Sequence, residues 1–284
     1  MRSLLARNLK VFFRDRASVF FSLLAVLIIL GLYMLFLGDV WTSNLPQVEG
    51  ARSLMDAWIM AGLLAVTSLT TVMGAFGTMV DDRAHKILKD FNASPISKGK
   101  ISGGYVLSSF LIGSIMSLLA FVLAEFYITS RGGTLLTPLQ TVQVTGGILL
   151  SALCNTALVS LLVSFIKSQN AFGTASSIVG TLVGFLTGIY LPVGMLPQSV
   201  QFVVKVFPVS HAAVLIRQVM MEAPTKAVFA GVPASITQEF QESMGVILRF
   251  GNQTLPAYAS VLILLGASLL FYALSILRFS MKSK

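Results

Sequence analysis

Residues 81–97, DDRAHKILKDFNASPIS, carry six charges and a histidine, and they stand between two runs that carry no charge at all, 57–80 and 101–124. A helix needs roughly 20 apolar residues to cross the hydrocarbon core of a bilayer. Each flanking run is long enough, so the polar stretch reads as a turn between two crossings. Working outward, uncharged runs also occupy 17–38, 132–166, 168–204 and 250–277. Trimmed of loop residues, these runs predict spans near 18–37, 58–80, 103–125, 143–166, 172–192 and 257–277. The expected fold is an all-α polytopic membrane protein, a single transmembrane domain over 1–284 with six transmembrane helices. Composition agrees: 11% of residues are charged, where a soluble domain carries about 25%.

Six crossings place both termini on one side. If that side is cytoplasmic it holds 14 of the 20 lysines and arginines, with Asp15, Asp81, Asp82 and Asp90, for a net +10 inside and −1 outside. This is the positive-inside pattern. It accounts for the net charge of +9 with a lipid bilayer as partner and no nucleic acid. The first apolar run is too long for the core of a signal peptide and reads as a retained anchor. Before it, Leu5, Leu9, Phe12 and Phe13 share a helical face, which suits either an N-terminal interfacial helix or a solvated basic leader.

Within the opening stretch, Ala84, Ile87, Leu88 and Phe91 fall at i, i+3, i+4 and i+7, the one-faced helix template. Asp81 and Asp82 would open this helix and complement its dipole, and Asn92 with Ser94-Pro95 would stop it. The pattern predicts a cytoplasmic helix of about ten residues, roughly 15 Å long. Two readings fit it equally: a loop helix lying on the membrane, or a peg that docks into a groove on a cytoplasmic partner.

Further along, GFLTGIYLPVGMLPQSVQFVVKVFPVSHAAVLIRQ (184–218) stays apolar beyond one span, but Pro192, Pro197 and Pro208 forbid a continuous helix. Two short segments, near 198–207 and 209–221, follow the break. Irregular backbone survives at membrane depth only where protein buries it or where it lines a cavity. A re-entrant helical hairpin in the outer segment 193–256 satisfies that, and a sticky surface loop is the other reading. Ser176, Gly180, Gly184 and Gly188 recur at four-residue spacing. Such a stripe lets another helix approach closely, in a homodimer or within the chain. Ser235 with Gln238 resembles a capping box for an outer helix whose apolar face is Phe240, Met244, Ile247 and Leu248.

Catalytic signatures are missing. There is no G-x-x-x-x-G-K-[ST]; the nearest string, Gly99-Lys100-Ile101-Ser102, lacks the loop. There is no H-E-x-x-H or G-x-S-x-G, and His85 and His211 are the only histidines. Cys154, the single cysteine, excludes an internal disulfide and a cysteine metal cluster. The expectation is a non-enzyme with no metal site. The span interiors contain no Asp, Glu, Lys, Arg or His; Glu125 alone approaches the bilayer, at the outer end of the third span. Ion-coupled carriers place such groups at depth, so energy for any transport would enter from another protein.

These residues resemble the permease subunit of an ATP-binding-cassette transporter of the type-2 exporter class. The leader LKVFFRDR, the insert KDFNASPIS, the proline-broken stretch and the six-span layout carry the resemblance over nearly the whole chain. Its most specific element is Gly188, Pro192, Leu196-Pro197, Pro208 and Arg217. The resemblance implies that the leader is an interfacial elbow and that the insert is the coupling helix, with Asp82, Arg83, His85, Lys86, Leu88, Phe91 and Pro95 transmitting the ATPase movement. It implies that Gly188, Tyr190, Pro192, Leu196, Pro197, Pro208 and Arg217 form the outer hairpin or gate, and that Ser176, Gly180, Gly184 and Gly188 serve helix packing, a dimer contact or the pathway. Two permeases, as a homodimer or a heterodimer, would pair in a bacterial plasma (inner) membrane with both termini cytoplasmic. Separate ATPase subunits would hold ATP and Mg, and the pair would export an amphiphilic or hydrophobic cargo such as a drug, an antimicrobial peptide, a lipid-like compound or a polysaccharide. The chain departs from the pattern where many members have a glutamate and a Gly-Thr pair and it has Asp82 and Ala84-His85. The other functional readings are a non-transporting membrane scaffold or sensor, and an ion-coupled secondary carrier.

Overall fold

A computed structural model of the chain describes residues 2–37, 50–93, 95–251 and 253–281. Ser94 of the expected helix stop, and Lys282 and Lys284 of the charge pattern, lie outside them. The described chain is almost wholly helical. Helix α1 (Arg2–Arg14) lies before α2 (Arg16–Leu32), which runs into a π-helical turn, Tyr33–Leu37. Then come α3 (Ala51–Ala84), the short α4 (Ile87–Ala93), α5 (Lys98–Ser130), α6 (Pro138–Phe165) and α7 (Gln169–Leu186). A 3-10 turn (Val193–Met195) leads to α8 (Gln198–Val206) and α9 (Pro208–Met220). Helices α10 (Glu222–Val228) and α11 (Ala234–Ser243) follow, then a two-stranded ribbon of β1 (Arg249–Phe250) and β2 (Gln253–Thr254), and α12 (Ala257–Met281).

Helix α3 is the axis of the bundle. Of its most apolar window 89% is buried, against 22% for α12, whose leucines Leu262, Leu269 and Leu270 lie open on the surface. An exposed apolar belt of this kind is what a bilayer covers. Helices α2, α5, α6, α7 and α9 all pack around α3. Two of its buried threonines are satisfied inside the helix: Thr67 donates to Leu63 O at 2.7 Å and Thr71 to Thr67 O at 2.7 Å. Asn155 of α6 donates to Ser68 Oγ at 3.0 Å, and Ser160 of α6 meets Ser275 of α12 at 2.8 Å. Polar pairs of this sort join helices where apolar burial gives little drive.

Among the described residues, four helices are long and apolar enough to cross a membrane: α3, α5, α6 and α12. The number rises to six if each of two bent pairs is one span, Arg16–Leu24 with Val26–Leu35 (48°) and α8 with α9 (83°). The expected fifth span, 172–192, is not among them. Its helix ends at Leu186 because Gly188 turns the chain at φ 67°, and it begins on the polar pair Gln169-Asn170. The proline break after it is present: α8 starts behind Pro197, and Pro208 occupies the first turn of α9, where its missing N–H costs nothing.

Three local expectations are corrected. The insert is not one helix opened by Asp81 and Asp82. Those residues close α3, which runs on to Ala84, and the chain breaks at Lys86 (φ 65°) before α4. The leader does not bury Leu5, Leu9, Phe12 and Phe13 as one face. Leu4, Asn8 and Phe12 point inward and Phe13 is exposed, because Asn8 is drawn to Ser108 and Leu4 fills the space left by Gly104. Helix α11 has no Ser235 capping box; it starts behind Pro233 without a side-chain cap, and Met244, Ile247 and Leu248 lie past its end.

The small-residue stripe on α7 divides. Gly184 is buried beneath the Tyr190 ring, which the Cβ of an alanine would strike. Gly184→Ala is therefore expected to destabilise the fold by about 1–3 kcal/mol, whereas Gly180→Ala, with open space around it, should leave stability unchanged. Thermal unfolding of the two purified variants checks the contrast.

Candidate functional site

The end of the bundle that carries α1 also carries the end of α12, since the Arg278 guanidinium lies 5.0 Å from the Phe165 ring at the end of α6. At this near end, three consecutive residues that close α3 each reach a different neighbour. Asp81 accepts from Gln169 Nε2 of α7 at 2.6 Å. Asp82, 3% exposed, pairs with Arg7 of α1 through both carboxylate oxygens, Nη2 to Oδ1 at 2.8 Å, and accepts from the Tyr105 hydroxyl of α5 at 2.5 Å. Arg83 donates to Ile166 O, just past α6, at 2.7 Å. The last turn of the central helix is thus tied to four others, and the break at Lys86 follows at once.

The electrostatics favour this knot. A carboxylate buried this deeply is tolerated only when paired and fully hydrogen-bonded, and Asp82 has an arginine and a tyrosine hydroxyl. The bond to Asp82 raises the Arg7 pKa above its ordinary value, against the opposing effect of partial burial, so the guanidinium stays charged. The Arg7 guanidinium also lies 5.8 Å from the Phe91 ring of α4. One arginine on the leader therefore touches the end of α3 and the helix beyond the break.

Placement of the sequence-predicted residues separates into two groups. Leu88 and Phe91 pack back on the bundle core, and Asp82 and Arg83 anchor α3. His85, Lys86 and Pro95 are exposed beside Lys89 and Asp90. The sequence reading missed Arg7, Asn8, Tyr105 and Ser108. Asn8 was the available signal: an amide between Leu4 and Phe12 on one face must find a partner when that face is buried.

At the far end of α3 the break after α7 is held by different chemistry. Ser210 of α9 donates to Leu186 O at 2.7 Å, which satisfies a carbonyl of the α7 terminus. Tyr190 packs edge-on against Phe185 with ring centroids 5.2 Å apart. Pro192 and Leu196 are buried. Arg217 of α9, 1% exposed, lays its guanidinium 4.9 Å from the Trp58 ring of α3, and Gly188 lies beside it. Ser176 and Gly180 stand elsewhere, with Gly173, Gly74 and Gly77 along a cleft of about 430 Å³ between α2, α3 and α7.

Residues 1–221 match the family model described as ABC-2 type transporter. The chain is also 26% identical over 160 residues to the linearmycin resistance permease protein LnrN of Bacillus subtilis (strain 168), a match covering 56% of this chain and 40% of that protein. The chain thus aligns with less than half the length of that relative. A polytopic helical chain with a tied polar break at one end and a proline-broken helix pair at the other, matched over residues 1–221, belongs to the ABC-2 type transporter family as a permease.

Proposed function

We propose that this permease exports an amphiphilic or hydrophobic cargo, driven by ATP hydrolysed on a separate ATP-binding-cassette subunit that docks against α4 and the exposed residues beside it. The observation that carries the proposal is the knot at Asp81, Asp82 and Arg83. A push on α4 reaches α1 through Phe91 and Arg7 and reaches α3 directly across the break, so one short exposed element is mechanically joined to the axis of the bundle. Both termini then lie on the cytoplasmic side, as the basic residues favour, and α8 with α9 forms a re-entrant hairpin at the outer face. Two copies, or this chain with a related permease, would face one another across the α2–α3–α7 cleft. Its serine, threonine, glycine and aromatic lining suits a cargo with both polar and apolar parts. Since the relative is named for linearmycin resistance, linearmycin belongs in the first cargo panel.

Docking falls to His85, Lys86, Lys89 and Pro95, while Leu88 and Phe91 hold α4 to the bundle. Lys89→Glu should leave thermal stability within about 0.5 kcal/mol, as exposed substitutions do, but should sharply reduce copurification of the ATPase. Undiminished copurification would move the docking face elsewhere. The function itself is tested with the copurified complex in vesicles, by measuring stimulation of ATP hydrolysis across the cargo panel. Gradient-driven transport by the permease alone would favour a secondary carrier.

A further inference from the structure

We infer that the turn at 242–246 is a lock on the far end of the permease, closed over the Arg217 guanidinium; the inference rests on the permease reading, in which that end must open. The turn begins on the last two residues of α11 and lies beyond the residues that match the family model. Four of its residues are held. Trp58 Nε1 of α3 donates to Met244 O at 2.7 Å. Ser243 sits against Gly194 so closely that a Cβ there would stand 3.0 Å from the Ser243 Cβ. Glu242 lies 4.0 Å from Lys205 of α8 and 3.6 Å from Arg249 of β1. Gly245, at φ 65°, presents its carbonyl 3.5 Å from Arg217 Nη1.

The guanidinium beneath the turn is poorly served. Among the described residues its Nε and Nη2 have no hydrogen-bond partner, and the 3.5 Å contact to Gly245 is at the limit of a hydrogen bond. Among the described residues, Asp56 of α3 pairs with Arg52, and Glu242 pairs with Lys205 and Arg249. Three glycines make the room: a Cβ on Gly62, Gly245 or Gly188 would stand 2.9, 3.3 or 3.6 Å from a guanidinium nitrogen. A buried cation without an anion is costly, and the Trp58 face offsets only part of that cost. The closed far end is therefore held against a standing penalty. Lifting the turn would relieve it by giving Arg217 water or the anionic part of a passing amphiphile.

The lock also has a route to the ATPase. Trp58 and Gly62 stand on the same 34-residue helix as Asp82, a rod of about 50 Å, so far-end closure and the near-end knot move with one element.

The test is a reversible cross-link, Gly194→Cys with Ser243→Cys, made in the complete complex with its ATPase; native Cys154 is buried. A Cβ at position 194 would stand 2.9 Å from the Ser243 Cα as well as 3.0 Å from its Cβ, so the two backbones must part by about 1 Å to reach the Cβ spacing of about 3.5–4.5 Å usual in disulfides. Oxidation should form the intrachain disulfide in the resting complex and lower ATP turnover about tenfold, as when an opening step is blocked, and reduction should restore it. Neither single-cysteine variant should respond. Failure of the disulfide to form would overturn the closed geometry, and equal turnover in oxidised and reduced complexes would overturn the lock. An ATPase that does not copurify with the wild-type chain would sink the permease reading instead.

Discussion

Asp82→Asn is expected to lower the unfolding free energy of the permease by about 2–3 kcal/mol. Removing one partner of a buried ion pair typically costs about 3–5 kcal/mol, because the surviving charge is left without compensation. The Arg7 side chain keeps 34% of its exposure, so solvent screening reduces that figure. Asparagine offers one acceptor where aspartate offers two, and its amide directs donors at the donors of Arg7. Tyr105 and Arg7 would then compete for a single oxygen. Arg7→Gln alone should produce a similar loss, and the double variant should lose much less than the two losses added. A double-mutant cycle of thermal or denaturant unfolding reads this coupling directly. Additive losses would show that Asp82 and Arg7 do not act as a unit.

The architecture was legible where the physics is one-dimensional. Uncharged runs 57–80 and 101–124 announced α3 and α5, because charge exclusion from lipid leaves a mark in every residue of a span. Pro197 and Pro208 announced the starts of α8 and α9, because proline lacks the N–H that a continuing helix needs. The position of the break in 81–97 was not legible. The i, i+3, i+4, i+7 pattern runs across it without interruption, and what ends α3 is a long-range tether, Asp82 to Arg7, 75 residues apart. Asp81 and Asp82 look like a helix start by local electrostatics and are a helix end by tertiary contact. The rotation of α1 was hidden likewise: Phe12 and Phe13 are equally apolar, and the Asn8–Ser108 bond decides which is buried. Arg217 stood out as part of the proline-broken pattern, but its surroundings did not. Gly62, Gly188 and Gly245 are far apart in sequence, and only the folded chain brings them around one guanidinium.

Those surroundings make Arg217→Met the second large effect, and its sign separates fold from function. Methionine matches the length of the arginine stem, fills the space between Trp58 and the three glycines, and has no charge to desolvate. Exchanging buried charges for apolar groups of similar volume is often neutral or stabilising by about 1–4 kcal/mol. The stacking on Trp58 that is lost is worth about 0.5–2 kcal/mol, and the long contact to Gly245 adds little. The variant should therefore be more stable than wild type by about 1–2 kcal/mol. Arg217→Ala should instead be less stable by about 2–4 kcal/mol, because the cavity between Trp58 and Ile189 would remain. If the cost of burying Arg217 helps to open the far end, the stabilised methionine variant must turn over ATP more slowly in the assembled complex, and far-end opening becomes the slow step. Stability and turnover then move in opposite directions for one side chain, which a purely structural arginine would not produce. A methionine variant both less stable and equally active would mean that the guanidinium contributes packing and no stored free energy.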